Sequence, residues 1–297
     1  MAPIKPSATV TYKTVGSLQI PMDIYLPPNP KQAPILLWFH GGGLLQGRRD
    51  MIAPHMRSGV EKYNYIAISA DYRLAPQASV HEIFSDVQDC ISFIRTNLPS
   101  ILGEKADVSR LAVSGSSAGG YLALLAGLYV EPKPKVIAPI YPITDPLGSF
   151  FTTPQLPAQG NYVAEKEEMA PYLDVNAPVV ASAGVSPDED SRAYMYGYML
   201  RTATLAGLLG VSDPHDGDAG RYRISRNISD RGLPPAYIVH GDADRAVGVE
   251  QADEVVGAMV GCGLDVVYER VRGKDHVFDA EPGYENKELY EFVLRYL

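Results

Sequence analysis

The chain has 297 residues, of which 46% are hydrophobic and 21% are charged, proportions ordinary for a folded globular protein and unlike those of disordered or fibrous chains. This length suits one large domain, or a domain that carries an insertion. The net charge of -9 argues against a nucleic-acid partner, because such partners favour proteins with a basic face.

Two alternating segments open the chain, residues 9–15 and 18–26, and predict an antiparallel pair of strands. Later runs are apolar at nearly every position, which is typical of strands buried on both faces of a sheet. These later strands are predicted at residues 34–40, 65–72, 111–113, 136–141 and 236–240, with a more alternating one at 265–271.

Helical patterns lie between these strands. The segment 80–98 places apolar side chains at steps of three and four, as one face of a helix requires. The other predicted helices cover residues 118–130, 249–260 and 284–297. Strands that alternate with helices predict an α/β fold with a mostly parallel sheet covered on both faces, and the opening pair fits an antiparallel edge.

One region breaks this alternation. Between residues 145 and 233 there are prolines, an acidic stretch at 165–168 and a predicted helix at 191–209 that is rich in tyrosine and methionine. We interpret 145–233 as a helical cap inserted above the sheet, and residues 1–144 with 234–297 as the core.

The strongest chemical signal is Gly115-Ser116-Ser117-Ala118-Gly119, a G-x-S-x-G motif between a predicted strand and a predicted helix. In this motif the serine occupies a sharp turn, and side chains two residues to either side would collide with the backbone. The spacing of the glycines therefore selects Ser117 as the nucleophile. A turn of small residues that only packs a helix on a strand is the structural alternative, and the strand–helix context favours the nucleophile.

A second signal is His40-Gly41-Gly42-Gly43 at the end of a predicted strand. Such glycines let a loop pass close to a nucleophile and point backbone amides into the site, where they stabilise a developing oxyanion. We predict the amides of Gly42, Gly43 and Ala118 as the oxyanion hole. Phosphate binding is the alternative for a glycine-rich loop, but the lysine and the Ser or Thr of a P-loop are missing. His40 is predicted to be structural.

A serine hydroxyl needs a base oriented by a carboxylate. Three histidines follow Ser117. His240 ends a strand and is expected to pack. His215 lies in the polar loop 213–218, which could be read as a metal site but is better explained as a solvated turn. His276 follows the last strand and is predicted as the base.

Two aspartates after the strand 236–240 are candidates for the acid. Asp244 lies further into the loop, with room to turn towards the base, whereas Asp242 is expected to brace the turn. We predict Asp244 as the acid and leave Asp242 as the alternative. Asp275 and Asp279, beside His276, are expected to be local salt-bridge or capping groups.

With these motifs, the chain resembles the hormone-sensitive-lipase-like branch of the α/β-hydrolases. The shared segments are H-G-G-G at 40–43, D-Y-R-L-A-P at 71–76 and G-S-S-A-G-G at 115–120, with Ser116 where the branch usually has aspartate. The resemblance implies the same roles for Ser117, Asp244 and His276. The acid loop lacks the D-P-L stretch common in that branch and is closer to short-chain esterases and peptidases. Asp71 and Arg73 are expected to form a buried structural pair.

The resemblance also implies a hydrolase that needs no cofactor or metal, and it admits a homodimer. We predict a serine esterase acting on a small or medium apolar or aromatic carboxylic ester. The predicted pocket residues follow the H-G-G-G motif or belong to a cluster of tyrosines and methionines at 194–199. They are Leu44, Leu45, Met195, Tyr198 and Met199.

Other functions share the same residues. An arylformamidase, a lactonase or a hydrolase-fold cyclase acting on a natural-product intermediate would use the same triad. A non-catalytic fold that binds a small ligand is the alternative from another class, although such proteins usually lose the histidine.

Location and partners follow from what the sequence lacks. The apolar runs are shorter than the roughly 18 to 20 residues of a spanning helix, and residues 1–6 do not resemble a signal peptide. We therefore expect a cytoplasmic protein with a small-molecule substrate and no membrane or nucleic-acid partner. Cys90 and Cys262 are expected to be buried free thiols, since they do not form a disulfide pattern.

Overall fold

A computed structural model describes residues 5–155, 162–184, 186–211 and 217–297. Its strands are β1 (Ala8–Val15), β2 (Leu18–Tyr25), β3 (Ala33–Phe39), β4 (Ile66–Ala70), β5 (Ala106–Ser116), β6 (Val136–Ile140), β7 (Ala236–Gly241) and β8 (Val266–Val271). Its helices are α1 (Pro54–Tyr63), α2 (Val80–Thr96), α3 (Leu98–Leu102), α4 (Ala118–Tyr129), α5 (Ser149–Thr152), α6 (Lys166–Leu173), α7 (Met195–Thr202), α8 (Leu205–Leu208), α9 (Gly217–Arg221), α10 (Ile224–Arg231), α11 (Glu250–Gly261) and α12 (Lys287–Tyr296).

The eight strands form one sheet in the order β1-β2-β4-β3-β5-β6-β7-β8. β1 pairs antiparallel with β2, and β2 pairs antiparallel with β4, whereas all other neighbours are parallel. This confirms the predicted α/β architecture with an antiparallel pair at one edge. Because parallel strands end at the same edge, the segments after β3, β5, β6, β7 and β8 meet there.

Alternate side chains of the central strands enter two cores. In β3, Ile35, Leu37 and Phe39 pack with α2 and α4 on one face, while Leu36 and Trp38 pack with α1 and α12 on the other. Every residue of β3 is buried, which explains its continuously apolar sequence.

The connection from β6 to β7, residues 141–235, contains α5 to α10 and, in its described part, no strand. α6 packs against α7, whereas α10 packs against α4 and α11 in the layer that covers the sheet. The division into a core and a cap at 145–233 stays a prediction.

Several local predictions differ from the structure. The helix predicted at 191–209 is interrupted, because Ala203 adopts a left-handed conformation and ends α7. α1 was not predicted, since its sequence carries little apolar periodicity. Cys90 is buried as expected, but Cys262 is exposed at the end of α11.

Asp71 and Arg73 are both buried, but they do not pair with each other. Asp71 accepts hydrogen bonds from the backbone and side chain of Arg49, at 2.7 and 2.6 Å. Arg73 binds Asp86 on α2, with Nε 2.9 Å from Oδ2, and reaches Glu82. Each of the two side chains is therefore paired with a residue from another element, Asp71 with Arg49 and Arg73 with Asp86.

Candidate active site

Ser117 lies in a strained turn between β5 and α4. Its backbone has φ 57° and ψ −118°, a region that L-residues rarely adopt, and only 4% of the residue is exposed. It occupies the N-cap position of α4, so the Ala118 amide belongs to the first helical turn, whose N–H groups lack partners within the helix. The positive end of the helix dipole lies at the same place.

Glycines make this turn sterically allowed. A Cβ on Gly119 would lie 1.9 Å from the carbonyl oxygen of Phe39, and one on Gly115 would lie 2.2 Å from the backbone of Gly119. The collision expected from the G-x-S-x-G spacing is therefore present at both ends of the motif.

The segment after β3, residues 40–47 and here called the glycine loop, passes directly beside Ser117. A Cβ on Gly41 would lie 3.1 Å from the Cβ of Ser117. Gly42 has φ +102°, where a Cβ would lie 2.2 Å from the Gln46 carbonyl oxygen. The carbonyl of Gly42 accepts the amides of Leu45 and Gln46, which folds the loop into a tight turn.

His40 is buried below this loop. Its Nδ1 donates to the Gly41 carbonyl at 2.8 Å, and its ring stacks on Tyr72 at 4.1 Å between centroids. Burial lowers the pKa of His40 to about 4, against the opposing effect of the hydrogen bond to Gly41. His40 is therefore neutral near pH 7 and braces the glycine loop.

Asp244 and His276 form a hydrogen-bonded pair. His276 Nδ1 lies 2.7 Å from Asp244 Oδ2. The other oxygen of Asp244 accepts the amides of Ala246 and Val247 at 2.9 and 2.8 Å. With Nδ1 occupied, Nε2 is the nitrogen of His276 that remains for a second partner.

Electrostatics keep Asp244 ionised. Burial alone would raise the pKa of Asp244, but hydrogen bonds from His240 and His276 and the charge of His276 hold that pKa well below its usual range. His240 is fully buried as expected, and its Nε2 lies 2.9 Å from the Val247 carbonyl and 3.3 Å from Asp244 Oδ2. Sequence reasoning missed this contact with the acid.

The other aspartates of these loops have separate roles. Asp242 accepts the Gly273 amide at 2.6 Å and so braces the turn. Asp275 pairs with Arg245 and accepts the His276 amide. Asp279, expected to be a local salt-bridge or capping group, is instead 2% exposed and hydrogen-bonded to the Tyr141 hydroxyl. It is buried together with Phe278 in the short helical turn Phe278–Ala280, where the hydroxyls of Tyr141 and Ser116 meet its carboxylate.

A cavity of about 220 Å³ lies between these elements. Ser117, His276 and Gly42 all line it. The structure therefore brings together the predicted nucleophile, the predicted base and one of the predicted oxyanion residues. Further lining residues are Trp38, Tyr141 and Tyr196, which give the cavity aromatic walls. The Tyr141 and His276 rings lie 4.5 Å apart between centroids.

The five residues predicted as pocket lining lie elsewhere. Their side chains are buried in the core cluster that spans the sheet and the helices above it, and none is among the lining residues of the cavity. They are Leu44, Leu45, Met195, Tyr198 and Met199. α7 presents Tyr196 to the cavity instead, because neighbouring helical positions point about 100° apart around the axis.

Tyr196 and Arg192 attach the β6–β7 connection to the site. The Tyr196 ring lies against Gly43, since a Cβ there would be 2.5 Å from Tyr196 Cδ2. Arg192 donates from Nε to the Leu45 carbonyl at 2.7 Å and from Nη2 to the Ala75 carbonyl at 2.7 Å. The sequence signal for Arg192 was absent, because an isolated arginine in a polar segment normally indicates a solvated side chain.

In the described part of the chain, no group of three or more His, Cys, Asp or Glu side chains is placed to hold a metal ion. His215 and residues 213–216 lie outside the described residues. Among the described helices, none combines the length and the apolar character needed to cross a bilayer.

Curated relatives cover nearly all of this chain at low identity. It is 27% identical to the non-reducing polyketide synthase ausA of Aspergillus calidoustus over 325 residues, which is 93% of this chain and 13% of that protein. It is also 27% identical to methylphloroacetophenone synthase of Cladonia uncialis, over 98% of this chain and 13% of that protein. The chain thus spans only about an eighth of the length of these relatives.

Solved structures share the architecture. An α/β-hydrolase superfamily protein from Enterococcus faecalis superposes with a TM-score of 0.71 at 18% identity, covering 95% of each chain. The propionate-bound esterase Est2 of Thermogutta terrifontis superposes with a TM-score of 0.63 at 19% identity, covering 98% of this chain and 93% of that one. Residues 22–155 match the BD-FAE family model. The chain therefore has the α/β-hydrolase fold, and the segment that matches the BD-FAE model includes the second half of β2, the glycine loop and Ser117.

Proposed function

We propose that this protein is a serine esterase that hydrolyses small or medium apolar or aromatic carboxylic esters. The observation that carries the proposal is the shared cavity of Ser117 and His276, with Asp244 bound to the far nitrogen of the imidazole. A nucleophile, a base and an orienting carboxylate are the three groups that acyl transfer to a hydroxyl requires.

In the proposed mechanism, His276 Nε2 takes the proton of the Ser117 hydroxyl as its oxygen attacks the ester carbonyl carbon. The amides of Gly42, Gly43 and Ala118 donate to the oxyanion of the tetrahedral intermediate. The intermediate collapses, the C–O bond to the alcohol breaks, and His276 returns the proton to the leaving oxygen. Water then attacks the acyl-enzyme by the same steps, releasing the acid and free Ser117.

Cavity size and lining support a compact substrate. A volume of about 220 Å³ with Trp38, Tyr141, Tyr196 and Met51 in its walls accommodates a short acyl chain or one aromatic ring. The Est2 neighbour was solved with propionate bound, which is an acid of this size.

The test is covalent labelling and turnover. A fluorophosphonate probe should label Ser117, and p-nitrophenyl acetate should be hydrolysed by the wild type but not by Ser117→Ala. The exposed Ser100→Ala variant, on α3, is the control and should behave as the wild type. A wild-type chain that neither reacts with the probe nor turns over the ester would instead favour a non-catalytic ligand-binding role.

A second candidate is hydrolysis or cyclisation of a natural-product acyl intermediate by the same acyl-enzyme. The relatives named as polyketide synthases favour it. Arylformamidase and lactonase activities use the same groups. A panel of p-nitrophenyl esters, an acyl thioester, N-formylkynurenine and a lactone, compared by kcat/KM, separates these reactions.

A further inference from the structure

A buried carboxylate beside the nucleophile turn has no part in the mechanism above. Asp279 is 2% exposed, lies three residues after His276 and lines the cavity. Its Oδ1 accepts the Tyr141 hydroxyl, and its Oδ2 faces the Ser116 hydroxyl at 3.4 Å and His55 Nε2 at 3.6 Å. Both oxygens therefore have partners, and the carboxylate joins segments that are distant in sequence.

Two of these partners lie on either side of the nucleophile turn. Ser116 is the last residue of β5 and directly precedes Ser117, whose amide donates to the Ile140 carbonyl at 2.8 Å. Tyr141 directly follows Ile140, at the point where β6 supports the turn. Through Ser116 and Tyr141, Asp279 thus contacts both strands that carry the strained backbone of the nucleophile.

Asp279 itself belongs to the segment that carries the base, residues 272–281, here called the base loop. The hydrogen bond from His276 to Asp244 attaches this loop to the loop after β7. The contacts of Asp279 run in a different direction, because they cross from the base loop to the nucleophile turn. This carboxylate therefore fixes the base loop relative to the nucleophile, which the pair with Asp244 does not do.

The backbone next to the base is held in an unfavourable conformation. Val277 has φ 62°, in the left-handed region that a β-branched residue rarely adopts. Such a conformation persists only where the surroundings over-determine it. Phe278 and Asp279 follow directly and are both buried, and the Phe278 ring packs edge-on against Tyr141 at 5.5 Å between centroids. The same wall therefore receives one apolar and one polar side chain from the base loop.

Position 116 is where the chain departs from G-D-S-A-G-G, since it has serine in place of aspartate. The Trp38 indole N–H donates to Ser116 Oγ at 3.3 Å, which leaves the Ser116 proton for Asp279. A carboxylate at position 116 would belong to the nucleophile strand, whereas the carboxylate at 279 belongs to the base loop. The chain therefore has an acidic group beside the nucleophile turn that also links two segments 163 positions apart.

We propose that Asp279 is a positioning residue of the esterase reaction, an inference that rests on the proposed function and deepens it. Through Ser116 and Tyr141 it holds the base loop against the nucleophile turn. The His276 imidazole is thereby kept in place for proton transfer from Ser117. Tyr141 serves both ends of this link, since its hydroxyl binds Asp279 and its ring lies 4.5 Å from the His276 ring between centroids. Misplacement of a catalytic group by about 1 Å can cost about 100-fold in rate, so the loss of such a link is measurable.

The first experiment does not depend on turnover. Hydrogen exchange of the backbone amides is measured by mass spectrometry on the wild type and on Asp279→Asn, in which an amide nitrogen replaces one carboxylate oxygen. Exchange in peptides that cover the base loop should quicken about tenfold, because local opening is easier when the contacts that oppose it are weakened. Unchanged exchange in these peptides would overturn the proposal.

Glu281→Gln is the matched control. Glu281 is an exposed carboxylate two residues after Asp279, and it pairs with Lys274 inside the base loop. Because exposed ion pairs contribute little to stability, this variant should change the exchange of the base loop by less than about twofold. An effect as large as that of Asp279→Asn would mean that any lost charge loosens the loop, which contradicts a specific link.

The second experiment measures turnover of p-nitrophenyl acetate per active site. Active sites are counted by fluorophosphonate labelling carried to completion, so a loss of folded protein is not mistaken for a slower reaction. In Asp279→Asn, kcat should fall at least about tenfold with KM within about twofold, because asparagine fills the same volume in the cavity wall while proton transfer is misaligned. Glu281→Gln should keep the wild-type values. A wild-type kcat in Asp279→Asn, or a loss confined to KM, would be incompatible with a positioning role.

A double-mutant cycle isolates the contact with the nucleophile turn. Ser116→Ala alone should lower kcat about threefold or more. Combined with Asp279→Asn, it should be no slower than Asp279→Asn alone, because both changes remove the same contact. Effects that multiply would show that the two residues act independently and would overturn the proposal.

The outcomes separate this proposal from the esterase proposal. If Asp279→Asn does not fold, Ser116→Ala decides, and wild-type exchange and wild-type kcat in that variant would overturn the positioning role. If the wild type hydrolyses no ester but exchange responds as expected, the esterase proposal fails while the link between the base loop and the nucleophile turn stands. If esters are hydrolysed and neither variant changes exchange or kcat, the esterase proposal stands and the positioning role fails.

Discussion

The hydroxyl of Tyr196 donates a hydrogen bond to the carbonyl of Ala246, with 2.7 Å between the two oxygens. Ala246 is also the residue whose amide binds Asp244. On its other side, the Tyr196 backbone amide donates to Gln46 of the glycine loop at 3.2 Å. One residue of α7 therefore connects the loop that carries the proposed acid with the loop that carries the proposed oxyanion donors.

Tyr196→Phe tests this connection. The change removes one buried hydrogen bond and leaves the Ala246 carbonyl unmet, so we expect stability to fall by about 1 kcal/mol and kcat/KM to fall by about three- to tenfold. Urea unfolding and p-nitrophenyl acetate kinetics provide the two readouts. Tyr194→Phe, two residues earlier and outside the cavity lining, is the control. Identical kinetics in the two variants would show that the hydrogen bond from Tyr196 to Ala246 does not contribute to turnover.

Asp244→Asn tests the orientation of the base. An asparagine can still accept the amides of Ala246 and Val247, but the N–H that it presents to His276 Nδ1 favours the wrong tautomer of the imidazole. We expect kcat to fall about 10⁴-fold with little change in KM. Steady-state and single-turnover kinetics measure this.

The matched control for Asp244 is Asp242→Asn, which alters the neighbouring turn and should leave kcat within about threefold of the wild type. A large loss in Asp242→Asn with a small one in Asp244→Asn would reverse our choice between the two aspartates.

Much of the fold could be predicted because its signals are local. The uninterrupted apolar sequence of β3 and the three-and-four spacing in α2 each report burial directly. The turn at Ser117 was also predictable, since Gly115 and Gly119 are required by collisions within the motif itself. For the same reason the glycine loop could be recognised from four consecutive residues.

What escaped prediction depends on contacts between distant segments. Tyr196 faces the cavity while Met195 and Met199 face the core, and only the docking of α7 decides which face is which. Asp279 was expected to be a local salt-bridge or capping group, because its buried partner, Tyr141, lies 138 positions away in sequence. Pairings of this kind carry no periodic pattern that a single sequence could reveal.

Two glycine-to-alanine substitutions should have opposite effects on stability. At Gly119 a Cβ would lie 1.9 Å from a backbone oxygen, so we expect Gly119→Ala to cost more than about 3 kcal/mol or to prevent folding. At Gly257, on α11, nothing lies within 4 Å of the added atom, so Gly257→Ala should stabilise the protein by about 0.5–1 kcal/mol. Thermal and urea unfolding measure both. Similar effects of the two substitutions would contradict the close approach at the G-x-S-x-G turn.

The pH dependence of the free energy of unfolding should reveal the protonation of His40. Its pKa is about 4 in the folded protein because of burial, against about 6.5 in an unfolded chain. The unfolded state therefore binds the proton more readily, and the stability present above pH 6.5 is lost as pH falls towards 4. The difference of about 2.5 pKa units sets an upper bound of roughly 3 kcal/mol on this loss.

Urea unfolding of the wild type and His40→Asn between pH 7.5 and 4.5 measures this contribution. Asparagine keeps a donor for the Gly41 carbonyl but does not titrate, so the variant should lose less stability than the wild type as the solution is acidified. Ser100→Ala is the control, because Ser100 is exposed on α3 and carries no titrating group, so this variant should keep the wild-type slope. Parallel pH profiles for the wild type and His40→Asn would mean that the buried imidazole accepts a proton as easily as an exposed one, which its unmet Nε2 argues against.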